Sequence, residues 1–541
     1  MIKLEKINKG RYIMKETKKC NINKEKIMLF LIILVQIIVY VFLGVQKTYI
    51  HMDEAYSIGL TNYDKVEITQ NEDFYNNWHN KEYYEDYISI SKEEVLDLKP
   101  VYENQKNDVH PPFYYLLLRI AYSFDLDSFS KWPGLILNII IVMLSNILIY
   151  LVLKEILKNT RIALLMCLVN GLVIASIESV MYIRMYALNS LFLLLIAYIH
   201  LKNFKKENMK LSTYILMALT VLFAALTHYY NVIYIAIIYI IYMITYIKNK
   251  QYKNAVKYTL TMIIPSVVFL IVFPYAIEHI FMGYRGEGVL STFTNPSKMI
   301  ENLANYINIV NTNVFNGLLW IILTIFVIVT IYKLIKNKKI TIRIENIKLL
   351  LITVPAIVYF LFVSLSSPYT EIRYIIPVCT FIFIYVMYLL NVLLNKILDE
   401  KKSNIVFTIT MVLILVMPIL TQAKINNLYL EHKNIVNEIK EKYSDLPTIY
   451  LFNTNQNRFL DDIYLFTKIE ESYILDIEKA NQENIDKILE NKDLDSGILL
   501  WVNEGFEKEN YIEMIKKNNN RNFENCKHLK RMNACDIYYI N

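Results

Sequence analysis

Residues 27–56 read IMLFLIILVQIIVYVFLGVQKTYIHMDEAY, and this stretch decides the fold. Its first part, 27–45, is apolar apart from Gln36 and Tyr40. It is long enough to cross a hydrocarbon core of roughly 30 Å at ~1.5 Å per helical residue. The run ends at Lys47, and a few residues later two carboxylates, Asp53 and Glu54, follow His51. In front of it, residues 1–26 hold nine Lys/Arg against three acids, and no small-residue cleavage site follows Val45. That pattern is an uncleaved signal-anchor with its amino terminus in the cytoplasm.

Working outward, the same kind of apolar run recurs. Eleven spans are expected: 27–45, 133–153, 162–181, 186–201, 212–227, 230–247, 258–277, 317–335, 349–365, 374–395 and 404–422. The composition agrees, with 55% hydrophobic and 20% charged residues, and only 11 Gly and 12 Pro in 541 residues exclude collagen-like or low-complexity architecture. Loops that this register places in the cytoplasm carry a net +21, the opposite loops −9 and the tail from Gln422 −5, which together give the chain's +7. The Lys/Arg excess on one side supports an odd number of spans and an external tail. The basic balance is therefore a topology signal and points to no nucleic-acid partner.

One apolar stretch, 113–124, is too short to span and follows Pro111-Pro112. It is expected as a juxtamembrane helix on the outer face, with Tyr114, Tyr115 and Tyr122 at the water boundary. The first external segment, 46–132, is long enough to be functional or independently structured. The tail alternates strand-like runs at 448–453, 472–476, 497–503 and 536–540 with helical patterns, which predicts a small α/β domain at 423–541. Cys526 and Cys535 lie on that tail, where a disulfide is chemically permitted. There is no CxxC pair, P-loop or GxGxxG.

With the register fixed, His51, Asp53, Glu54, His110, Arg184, His228, Arg285 and Arg373 all fall at the outer boundary. Such a gathering of ionisable groups at one surface suggests a site there. A carboxylate tethered just beyond the first span can serve as a base when partly desolvated, although Asp53 and Glu54 can equally cap a surface helix. In Asp108-Val109-His110-Pro111-Pro112 the prolines enforce an extended entry and then permit a helix start, which would set His110 at its edge. Tyr182-Ile183-Arg184-Met185-Tyr186 places a guanidinium between two apolar runs, where it can grip a lipid phosphate or snorkel to the interface. Weaker candidates are His228-Tyr229-Tyr230, the glycine-bearing loop around Arg285, and Arg373-Tyr374.

Taken in order, Asp53-Glu54 after the first span, His110-Pro-Pro with its Tyr-Tyr-Leu-Leu-Leu helix, Arg184-Met-Tyr-Ala-Leu, Thr227-His-Tyr and Arg373-Tyr-Ile-Ile-Pro resemble bacterial GT-C glycosyltransferases, more narrowly the protein mannosyltransferase-like group. The resemblance covers roughly residues 27–395. It implies an all-α polytopic membrane domain of about 11 transmembrane helices over 27–422 with a large first external loop, in the plasma membrane. It also implies an enzyme that takes a sugar from a polyprenyl-phosphate donor and passes it to a glycan, lipid or protein acceptor at the extracytoplasmic face. By the same analogy Asp53 is the general base assisted by Glu54, and His110, Arg184, Tyr186, His228, Tyr229, Arg285, Arg373 and Tyr374 contact substrate. No cofactor and no metal are expected, because a lipid phosphate leaves without a nucleotide. Two other classes fit less well. A transporter of lipid-linked sugars would place ionisable groups near the midplane and often repeat its halves, and a non-catalytic protein binding envelope glycan would carry its function in the tail.

Overall fold

The computed structural model describes residues 2–64, 67–157, 159–282, 284–335, 347–453, 458–519, 521–532 and 535–541, without the side chains of 2–23, 284–287, 330 and 332–334. The chain divides into two units. One comprises Met1–Phe42, Asn138–Val180 and Met185–Ile425, the other Leu43–Leu137, Met181–Arg184 and Asn426–Asn541.

The first unit is helical, and the expected spans fall on helix to within a few residues, except that 258–277 is interrupted at 273–275, between Tyr252–Val272 and Ala276–Phe281. Seven helices among the described residues are long and apolar enough to cross a membrane: Lys24–Gln46, Trp132–Ile156, Asn231–Lys248, Tyr252–Val272, Ile347–Ser366, Ile376–Ile397 and Glu400–Leu420. The expected straight span at 162–181 is corrected. It consists of two helices, Thr160–Leu172 and Ile174–Met181, bent by 52° at Val173, and the pair brings the number to eight. The helices at Leu211–Ala225 and Leu319–Ile335 are shorter than the sequence pattern suggested. Polar groups hold the bend. Gln36 Nε2 donates to the carbonyls of Cys167 and Leu168 at 3.0 and 3.3 Å, Asn146 Nδ2 donates to Gln36 Oε1 at 2.9 Å, and Tyr40 donates to the Gly171 carbonyl. In an apolar surrounding an unmade hydrogen bond is costly, so these pairings fix where the helix can open.

The second unit is built on a six-stranded sheet in the order β1-β3-β2-β4-β6-β5, with β1 at Trp78–Asn80, β2 at Thr448–Phe452, β3 at Glu471–Asp476, β4 at Ile498–Asn503, β5 at Cys526–Arg531 and β6 at Cys535–Ile540. The inner pairs β2–β3 and β2–β4 are parallel, and the outer pairs are antiparallel. The four strand-like runs read from the sequence are β2, β3, β4 and β6. Because β2 and β4 are buried on both faces, they read as continuous apolar runs. On one face Ile449, Leu451, Leu500 and Val502 pack on Ile485, Leu489 and Ile515 of the helices Gln482–Leu489 and Lys508–Lys516. On the other, Tyr450 and Trp501 meet Phe459 and Phe466 of the helix Phe459–Phe466, and Tyr84 from the first loop packs against both phenylalanines, tilted on one and edge-on to the other. The Cys526 and Cys535 thiols are free, and Cys535 donates to Asn503 Oδ1 at 2.9 Å.

The expectation for Tyr114, Tyr115 and Tyr122 is also corrected. All three are fully buried within this unit, on a helix, Phe113–Tyr122, that packs against the helix Met52–Asn62. Arg119, on the same short helix, explains the placement. Its buried guanidinium donates to the carbonyls of Asn62 at 2.6 Å, Glu94 at 2.9 Å and Asp97 at 3.1 Å, which satisfies the carbonyl end of the helix Met52–Asn62 and places a cation against the negative pole of its dipole.

Candidate functional site

The helix Met52–Asn62 carries the first candidate group and is fixed at its start as firmly as at its end. His51 is its N-cap: the ring Nδ1 accepts from the Asp53 amide at 3.1 Å, while Glu54 Oε2 accepts from the His51 amide at 2.9 Å, forming a capping box. Two acids in the first turn also suit the positive pole of the dipole. Glu54 goes further. Its side chain is fully buried, Lys47 Nζ lies 3.0 Å from Oε2, and the Ile183 amide donates to Oε1 at 2.9 Å. A carboxylate so surrounded is committed to holding the backbone.

Asp53 differs from its neighbour. Its side chain keeps 16% of its exposure, Oδ2 accepts from the Tyr182 hydroxyl at 2.6 Å, and His51 Nδ1 stands 3.7 Å away. Three consecutive residues after the helix Ile174–Met181 dock onto this turn. The Tyr182 hydroxyl reaches Asp53, the Ile183 amide reaches Glu54, and Arg184 Nη1 donates to the Asp53 carbonyl at 3.0 Å and to Ser57 Oγ at 2.8 Å. Close approach makes this possible: a Cβ on Gly134 would lie 2.5 Å from Ile183 Cγ2, and one on Gly59 would lie 2.0 Å from the Tyr87 ring.

His110 enters through Asp108. The two side chains are 3.2 Å apart and both partly buried. Burial pushes the Asp108 carboxyl up, but the hydrogen bond and charge of His110 and the charge of Arg184 pull it further down, below the usual carboxylate range. The second unit therefore joins Asp53, Glu54, Arg184 and His110, four of the residues read from the sequence.

Sequence reasoning missed several groups here. Asp461, on the helix Phe459–Phe466, accepts from the Met52 amide. Burial raises its carboxyl, with His51 and Arg458 opposing that rise and Asp53 adding to it. Beneath it Asp462 is fully buried and pushed up to about 8, first by burial and then by the Asp461 charge, with Tyr49 Oη 3.4 Å from Oδ1. Tyr429 stacks on His51 with ring centroids 6.2 Å apart. Its backbone is left-handed at φ 52°, which a bulky side chain adopts only under constraint, and its carbonyl accepts from Thr48 Oγ1 at 2.6 Å. No spacing in the sequence signals these contacts. The only sequence cue is the paired acid in Phe459-Leu460-Asp461-Asp462.

The first unit gathers a second group. Tyr186 lies 5.9 Å from His228 and 6.4 Å from Tyr374, ring to ring, and the Arg373 guanidinium sits 5.3 Å over the Tyr374 ring. The Tyr229 hydroxyl lies 2.8 Å from His279 Nδ1. The Arg285 side chain is outside the described residues. Among the described residues no three His, Cys, Asp or Glu side chains come together as a metal site.

No protein-family model and no curated protein matches this sequence. Among solved structures the chain is similar to crystal structures of ArnT from Cupriavidus metallidurans, one bound to undecaprenyl phosphate and one in the apo state. The TM-score is 0.46 for each and the identity 9% and 10%, with 94% of this chain and 97% of that chain covered.

Proposed function

We propose that this chain is an integral-membrane glycosyltransferase that moves a sugar from a polyprenyl-phosphate-linked donor to an acceptor hydroxyl at the extracytoplasmic face of the plasma membrane, with inversion. The observation that carries the reading is the setting of Asp53: a partly exposed carboxylate on the first turn of a helix fixed at both ends, shortly after a membrane-length helix, with Tyr182 and Arg184 against it. In the proposed step the acceptor hydroxyl gives its proton to Asp53 as its oxygen attacks the anomeric carbon. The bond from that carbon to the phosphate oxygen breaks, and the polyprenyl phosphate leaves with the bonding pair. Positioning and fixed charge supply the acceleration.

Glu54 is a positioning residue in this reading, since its carboxylate is taken up by Lys47 and two backbone amides. Arg184 orients the helix start and holds positive charge beside Asp108. His110 is proposed to contact the sugar. Arg373, with Tyr374, Tyr186 and His228, is proposed for the lipid phosphate, with Tyr229 and Arg285 in supporting contacts. The acceptor is a glycan, lipid or protein, and the chemistry calls for no cofactor.

The test uses the full-length protein in liposomes with polyprenyl-phosphate hexoses and pentoses as donors, following release of free polyprenyl phosphate. Asp53→Asn is expected to lower turnover by at least ~100-fold, the range of a lost general base, while the protein stays folded in the membrane. Wild-type turnover in that variant would overturn the proposal.

A further inference from the structure

At the β1 edge of the sheet lies a cleft of about 470 Å³ that the proposed chemistry does not use. Its floor is aromatic. Trp78 on β1 and Tyr473 on β3 are register partners, with ring centroids 5.5 Å apart and one edge to the other. Its wall is the helix Gln482–Leu489, begun by Asn481, whose side chain accepts from the Asn484 amide at 3.0 Å. Asn484, Lys487 and Ile488 recur at helical spacing, so they share the face toward the cleft, and Asn491 lines it just past the helix end, while Ile485 and Leu489 go into the core.

The lining combines three chemistries. Trp78, Tyr473 and Ile488 give an apolar surface that is only half-buried. Asn484 has its amide nitrogen committed to the Lys479 carbonyl at 2.7 Å, which turns its oxygen to accepting, and Asn491 adds an exposed amide. Lys479 and Lys487 are exposed at the rim and form no ion pair among the described residues. Lys492 already lies 3.8 Å over the Trp78 ring and pairs with Glu471.

We infer that this cleft binds an anionic saccharide chain. The C–H face of a sugar ring packs on an aromatic ring, its hydroxyls pair with amides, and a phosphate or carboxylate substituent meets the rim ammonium groups. The volume lies within the roughly 300–1,000 Å³ of small-ligand sites. A nucleic acid would also seek the lysines, but hydroxyl-matched amides beside a single aromatic pair suit a sugar better. The inference stands apart from the transfer reaction, since it concerns binding alone.

Binding to the full-length protein in detergent is measured by tryptophan fluorescence and thermophoresis, with maltotetraose, phosphorylated maltotetraose, tetragalacturonate and a dT oligonucleotide as probes. At least one anionic tetrasaccharide should bind ten-fold or more tighter than maltotetraose, and comparison of the two identifies phosphate or carboxylate as the anion. The doubly substituted K479E/K487E protein, altered only on the surface, should lose that preference and keep its weak affinity for maltotetraose. Trp78→Ala should remove binding of every sugar, and Trp78→Phe should restore part of it with an unchanged melting temperature. No sugar binding by the wild type up to millimolar concentration, an unchanged preference in K479E/K487E, or tighter binding of the oligonucleotide would overturn the inference.

Discussion

Replacing Asp462 by Asn should change how stability depends on pH. Asp462 is 1% exposed, and its carboxyl is carried from 3.8 to about 8. A carboxyl raised in the folded state favours folding fully below its unfolded value, and that contribution is lost as pH rises toward the folded value. The loss is ~1.4 kcal/mol per pH unit, with a ceiling of ~6 kcal/mol across the window from 3.8 to about 8. Asn has the same shape and no proton to lose, so Asp462→Asn should track the wild type only near pH 4, gain on it by ~2 kcal/mol at pH 5 and by up to ~5 kcal/mol at pH 8. At ~2–4 °C per kcal/mol for a unit of this size, the melting temperatures should separate by on the order of 10 °C. Trp501, whose ring lies 5.0 Å from Phe466 on the helix that carries Asp462, is a built-in fluorescence reporter. Thermal melts of both full-length proteins between pH 5 and 9 test the reasoning. A difference that stays constant with pH, or a variant less stable than wild type at pH 8, would refute it.

Tyr182→Phe removes the 2.6 Å hydrogen bond to Asp53 Oδ2. Turnover should fall about ten-fold, because the carboxylate loses the hydrogen bond that orients it. Lys47→Met leaves the fully buried Glu54 carboxylate without its cation. It should cost about 3–5 kcal/mol in denaturant titration, and adding Glu54→Gln should recover part of that loss. Gly59→Ala pushes a Cβ to within 2.0 Å of the Tyr87 ring; a loss of at least ~1–3 kcal/mol is expected from overpacking, read as a lower melting temperature.

The helical membrane architecture was legible because 20-residue apolar runs have few alternatives, and the mixed sheet was legible because β2, β3, β4 and β6 are apolar enough to stand out from the tail. The approach of Arg184 to the Asp53 carbonyl agrees with a sequence register in which both lie near span ends. Other features leave no local trace. Strand β1 is three residues long, Trp78–Asn80, too short for any alternation to show. Strand β5, Cys526–Arg531, is largely polar because it lies at the opposite edge. The bend at Val173 depends on Gln36 and Asn146, which are distant in sequence. Asp461 and Asp462 look like surface acids on an amphipathic helix. Only the fold places Tyr49 and Met52 against them. The division of labour between Asp53 and Glu54 was invisible for the same reason, since adjacent acids acquire different partners only through Lys47, Ile183 and Tyr182.

Strand β1 pairs with β3 across nearly four hundred residues of chain, Trp78 opposite Tyr473. During synthesis the early segment must therefore wait, with its aromatic side chains uncovered, until Glu471–Asp476 has been made. Loop closure over such a distance is slow. The turn bearing Asp53, which leans on Asp461, cannot take its final form before residue 461 has been made. Ribosome stalling or premature termination shortly after Glu400–Leu420 would leave the apolar helices made and the sheet unfinished. Such fragments are natural substrates for quality-control proteases.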